Sequence, residues 1–179
     1  MPRRYRRRRT TLYKPLKTTK YSSENYGSQV TIQNNAQQLG SANIELVPTI
    51  QGALGTRKIK NFTLRLIAEQ TMIDDGQGNQ GFDRARVAFF LVYVPEGTQI
   101  SPVQYGNNSP ALSLYEPNQN VIMSGIVDSN QTYTFKSRLA RNLASGDTIG
   151  LVLVDLNVPS VGDTNTTPIT FHINYAISF

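Results

Sequence analysis

The stretch 168–178 alternates with a period of two. Ile169, Phe171, Ile173, Tyr175 and Ile177 fall on one side and Thr170, His172, Asn174 and Ser178 on the other. Successive side chains of an extended chain point to opposite faces, so this pattern fits a strand with one buried and one polar face and does not fit a helix. Phe62, Leu64, Leu66 and Ala68 repeat it against Asn61, Thr63 and Arg65. Runs of this kind span 29–33, 42–47, 58–68, 84–94, 120–127, 131–136, 148–156 and 168–178, parted by clusters of Gly, Pro, Asn, Asp and Ser. Strands bounded by turn residues throughout predict an all-β sandwich or barrel.

Three segments depart from the pattern. Val87 to Val94 is apolar on both faces, as in a strand at the middle of the fold or one covered by a neighbouring subunit. Ser137 to Ala144 fits either a short helix, with Ser137 as cap, Leu139 and Leu143 one turn apart and Gly146 as a left-handed stop, or a short strand plus turn. The Pro-, Asn- and Gly-rich stretch 95–120 is too long for a hairpin turn and reads as a functional surface loop, with a helical turn near Leu112 to Tyr115.

Charge divides the chain in two. Arg3, Arg4, Arg6, Arg7, Arg8, Arg9, Lys14, Lys17 and Lys20 make nine of the 18 basic residues, and none of the 12 acidic ones lies before Tyr21. The first twenty residues therefore carry +9 and the rest 9 − 12 = −3. The segment 1–27 has no apolar period and is expected to be a disordered arm and linker, with the folded domain over 28–179. Guanidinium groups keep their charge and fork onto phosphate oxygens, so the arm is expected to bind nucleic-acid backbone without reading sequence. With nine charges on a single strand, the slope of log K against log salt would approach about −6. Tyr5, Tyr13, Tyr21 and Tyr26 are interleaved with these charges and either stack on unpaired bases or pack on the body, and Tyr5 and Tyr13 are counted with the arm's nucleic-acid contacts. The arginine run also fits a nuclear localisation signal.

No catalytic residue, metal site or cofactor is expected. The chain has no Cys and one His, His172, on the polar side of the last strand, which removes thiolate chemistry and the usual His-based zinc sites. Asp74, Asp75 and Asp83 bracket a Gly-rich segment, but counting from Asp75 places Gln80 and Arg86 where a calcium loop needs Gly and Glu, so a hairpin tip is the better reading, with a metal shared between subunits as the alternative. No apolar run reaches the roughly 18 residues of a membrane span, and no apolar stretch follows the basic N-terminus, so neither membrane insertion nor a secretory signal is expected.

The opening Met1-Pro2-Arg3-Arg4-Tyr5-Arg6-Arg7-Arg8-Arg9 resembles that of capsid proteins of circular single-stranded DNA viruses, the circovirus-like group. Pro48-Thr49-Ile50-Gln51-Gly52 followed by Arg57 to Leu66 is similar to the B to C region of compact jelly-roll capsids, including satellite plant virus coats, and Asn142 to Ile149 looks like the turn that launches a late strand there. The body is shorter than a typical circovirus capsid. The resemblance implies a single eight-stranded antiparallel jelly-roll sandwich whose copies, about 60 for so small a subunit, close into a T=1 icosahedral shell. It further implies arms that face inward onto single-stranded genomic DNA, or onto RNA in a small-RNA-virus coat, residence in the virion with assembly in the host nucleus, and receptor contacts from exterior loops such as 95–120. The other reading is a nucleic-acid-binding β-domain protein outside any virus. That reading asks for cations on the body as well, for which Arg57, Lys58, Lys60, Arg65, Arg138 and Arg141 are candidates.

Overall fold

The computed structural model describes residues 21–35, 39–47, 56–97, 100 and 120–178. Its strands are β1 (Ser22–Asn35), β2 (Ser41–Val47), β3 (Arg57–Ala68), β4 (Thr71–Asp74), β5 (Gln80–Asp83), β6 (Arg86–Val94), β7 (Val121–Asp128), β8 (Thr132–Ser137), β9 (Arg141–Leu143), β10 (Thr148–Asp155) and β11 (Thr164–Ser178). Among the described residues there is no helix.

The antiparallel pairings are nested. β1 pairs with β11, β2 with β10, β3 with β8 and β6 with β7, so the chain forms one long eight-stranded hairpin. Winding that hairpin on itself adds the contacts of β11 with β3 and of β10 with β6. Two sheets result, β1-β11-β3-β8 and β2-β10-β6-β7, and this is the jelly roll. The β4–β5 hairpin extends the first sheet along the start of β11, and β9 continues it beside the start of β3.

All eight expected runs are present, as β1, β2, β3, β6, β7, β8, β10 and β11. β1 begins at Ser22, within the stretch read as arm and linker, and its partners run in unbroken register from Ser22 opposite Ile177 to Asn35 opposite Thr164. Its first half is polar and exposed on both faces, so it has no apolar alternation to read. The segment Arg57 to Leu66 lies on β3, the third strand of the winding and not its second, while residues 48–52 lie outside the described residues.

The core lies between the sheets, where Phe62, Leu64, Leu66, Phe171 and Ile173 of the first meet Phe89, Leu91, Leu151 and Leu153 of the second. Phe89 and Phe135 meet across the sandwich with ring centroids 4.4 Å apart. Gly125 makes the room, since a Cβ there would stand 2.7 Å from the Phe89 ring. The doubly apolar run 87–94 is settled in favour of the middle of the fold. Val87, Phe89 and Leu91 face the core, while Ala88 and Phe90 join Val152 and Val154 in a second cluster on the outer side, against which Leu39, Ile100 and Leu156 of the same chain pack. The stretch 137–144 forms no helix. Leu139 is exposed and Leu143 buried, on the short strand β9 opposite Arg57. Gly146 is not among the left-handed residues. It is needed because the Glu96 side chain occupies the space of a Cβ there.

A one-residue bulge governs β3. Asn174 pairs with Thr63 and Ala176 with Lys60, so β3 carries an extra residue, and Asn61 there takes a left-handed φ of 57°. An extra residue reverses the parity of everything before it. Strict alternation from Phe62 would send Lys58 and Lys60 into the core. With the bulge they share the outward face with Arg65, and Arg57 and Ile59 turn inward. Asn tolerates the left-handed region and a β-branched residue does not. Asn61→Gly is therefore expected to leave the urea midpoint nearly unchanged, whereas Asn61→Val should cost about 1–2 kcal/mol.

Candidate nucleic-acid interface

Arg3, Arg4, Tyr5, Arg6, Arg7, Arg8, Arg9, Tyr13, Lys14, Lys17 and Lys20 lie outside the described residues, and so does the expected helical turn near residues 112–115. The arm joins the body at Tyr21, and the Lys60 ammonium stands 3.7 Å from the centroid of that ring. A cation over a tyrosine face is attracted by the ring quadrupole, so the junction is tied to the start of β3. Tyr26 lies against Phe171, ring centroids 5.8 Å apart. Of the alternatives open for these two tyrosines, packing on the body is the one found.

The outward face of the first sheet gathers four of the nine cations that follow residue 20. Lys58, Lys60 and Arg65 lie on it along β3, and Lys136 joins them from β8, opposite Thr63. His172 lies directly opposite Arg65 across β11, with Gly27 opposite it in turn. Ser23, Asn25, Asn174, Ala176, Ser178, Thr134 and Asn142 complete this end of the face by the same register. Among the described residues, carboxylates enter the face at the far end, with Asp74 opposite Thr164 and Glu69 just past β3. The outward face of the second sheet differs in kind, since its centre is apolar and covered.

Three of the candidate cations do not join the first sheet's outward face, first among them Arg57. It is buried, and Nη2 donates to the carbonyl of Asp147 at 3.2 Å. Arg138 is exposed beyond the end of β8, and Arg141 sits on β9 opposite Ile59, in the inward register. Lys136 was missed because its place on the face depends on how β8 registers against β3.

Asp147 fixes this corner of the sandwich. Its carboxylate accepts from the Tyr93 hydroxyl at 2.7 Å, the Ala144 amide at 2.7 Å and the Glu96 amide at 3.0 Å. Burial alone would raise its pKa. The Tyr93 hydrogen bond, the two amides and the Arg57 charge outweigh burial, and the pKa is lowered from the ordinary 3.8. Tyr93, donating to that carboxylate, is pushed up to about 12. The turn expected from Asn142 to Ile149 is this one, with β10 leaving it at Thr148.

At the other end Asp155 is fully buried and accepts from Thr167 at 2.5 Å and from the Asn157 amide at 3.0 Å. Burial dominates these hydrogen bonds and its pKa is raised. Asn157 donates to Thr71 at 3.1 Å and to the carbonyl of Arg84 at 2.6 Å, which binds the β10–β11 connection to the β4–β5 hairpin. The turn of that hairpin is the Gly-rich tip read from the sequence. Asp75 accepts from the Gln77 and Asn79 amides at 2.8 and 3.1 Å, and Gly76 and Gly78 take positive φ. Its carboxylate caps its own turn, and among the described residues no group of three His, Cys, Asp or Glu is placed to hold a metal.

The strand order defines a jelly-roll protein whose open sheet face is cationic at the root of the arm. No family model matches the sequence, and no curated protein does. Among solved structures it is similar to the capsid of Penaeus stylirostris densovirus, at 7% identity and a TM-score of 0.38 over 88% of this chain and 83% of that one. It is also similar to the structure of Desmodium yellow mottle tymovirus, at 11% identity and a TM-score of 0.30 over 98% and 92%.

Because the Asp147 pKa is depressed, its contribution to stability is present above pH 3.8 and lost as pH falls through the lower folded value. Asp147→Asn should cost about 1–3 kcal/mol at pH 7. In denaturation series the gap to the natural chain should close below pH 3.8. A gap that stayed constant across the series would show that ionisation of Asp147 contributes nothing.

Proposed function

We propose that the protein is a viral capsid protein that assembles into a small icosahedral shell and packages a single-stranded genome through residues 1–20. The observation that carries this reading is the pairing of a complete jelly-roll winding with a charge division of +9 on the arm and −3 on the body. A sandwich of this kind is a rigid tile, and a dense cationic arm is sequence-blind glue. Many arms within one shell neutralise a polymer that carries one charge per nucleotide. The reading requires no turnover site.

Self-assembly also needs surface to bury. Phe82, Val158 and Val161 are exposed at the end of the sandwich where the β4–β5 hairpin meets the β10–β11 connection, and Val161 is 95% exposed. Apolar side chains grouped at one end of a tile suit contact between copies. The same arginine run would serve nuclear entry before assembly.

Electron microscopy and light scattering of the expressed protein test the reading. Closed particles of uniform diameter are expected, and a small soluble species that still binds nucleic acid would favour the non-viral β-domain reading. The described strand pairings begin at Ser22, so removal of residues 1–20 takes none of them away. The truncated chain should keep its circular dichroism and lose nucleic acid from its particles. Phe82→Ser with Val161→Ser should reduce particle yield at least tenfold while the unfolding midpoint stays within about 0.5 kcal/mol of the natural chain.

A further inference from the structure

We propose that the outward face of the first sheet is a second nucleic-acid site, in which Lys58, Lys60, Arg65 and Lys136 hold the backbone of the same single strand that the arm captures. It follows that this face turns toward the packaged genome and the second sheet turns away from it. The proposal rests on the capsid reading for the identity of the polymer.

Four observations support it. The cations come from two strands and reach one face because the β3 bulge and the β3–β8 register put them there. Among the described residues Lys58, Arg65 and Lys136 have no carboxylate partner, whereas Arg86 pairs with Asp128 at 3.7 Å. The surrounding side chains are Ser, Thr, Asn and Ala, which donate to phosphate or stay out of its way. The face adjoins the root of the arm, because Lys60 contacts Tyr21.

Lys58 and Arg65 are seven positions apart on β3, about 20 Å along the strand. That is long enough for several successive phosphates of an extended single strand. The acidic end, at Glu69 and Asp74, sets a direction, because a polyanion laid on the face is drawn toward the arm and repelled from the far edge. Nothing here reads bases, which suits a surface that must accept any genome segment.

The test uses the full chain and a fluorescent oligo-dT, with affinity measured by anisotropy across a salt series. The face variant carries Lys58→Gln, Arg65→Gln and Lys136→Gln, leaving Lys60 to hold Tyr21. The arm variant carries Arg6→Gln, Arg7→Gln and Arg8→Gln, and Arg84→Gln with Arg86→Gln serves as control. Neutralising three phosphate-binding cations should lower the magnitude of the single-strand salt slope by about 2 in the face variant. The control should leave it unchanged. A face variant whose slope and affinity match the control overturns the proposal. If the arm variant still loses slope, the capsid reading survives that result, and if neither variant does, both fall. Chemical acetylation gives a readout independent of folding effects, since bound oligo-dT should shield Lys58 and Lys136 in the natural chain. Unchanged reactivity at both lysines would also count against the site.

Discussion

The first sheet is closed by the first strand finding the last. β11 is flanked by β1 on one side and by β3 and β4 on the other, so it carries the inward row of Ile169, Phe171, Ile173, Tyr175 and Ile177 into the middle of the first sheet. Without β1 its outer edge would be a bare row of amides and carbonyls. Without β11, β3 and β1 would have no common neighbour. The nested pairing makes the sandwich one cooperative object and fixes where its N-terminal arm must leave, beside the strand ends at Ser22 and Ile177.

The two sheets spend their outward faces differently. On β6 and β10 the outer side is apolar and covered by Leu39, Ile100 and Leu156, so it has become a second small core. On β3, β8 and β11 it is open, hydrated and cationic near the arm. A bulge at a single residue, Asn61, preserves much of that contrast. Were Asn61 held in strict alternation instead of being set aside in the bulge, Lys58 and Lys60 would turn into the core on the side of Phe62 and Leu64, and the chain could not bear the desolvation of two ammonium groups there.

Most of the strand plan was legible because buried strands must alternate or be apolar throughout, and these do. What escaped the sequence did so for physical reasons. The first half of β1 faces water on both sides, so no hydrophobic signal marks it, and its order comes from the backbone ladder to β11. β9 is three residues long, shorter than any period can reveal, and Leu139 with Leu143 imitated a helix turn. Arg57 reads as a surface cation, yet the Asp147 carbonyl satisfies it inside. The cationic face was only half visible, since Lys58, Lys60 and Arg65 are neighbours in sequence but Lys136 reaches them only through the register of β8 on β3. The principal arm residues, Arg3 to Lys20, rest on composition alone.

The Ser22 hydroxyl donates to the carbonyl of Ile177, across 155 positions of chain. Such long-range closure makes folding slow, because the entropy of bringing the ends together is lost before any contact is gained. During synthesis β1 is made before β11, so the strand that completes the sheet is the later of the two. For the interval between them β1 lacks its partner and the first sheet stays unfinished. The sheet can therefore close only once β11 has been made.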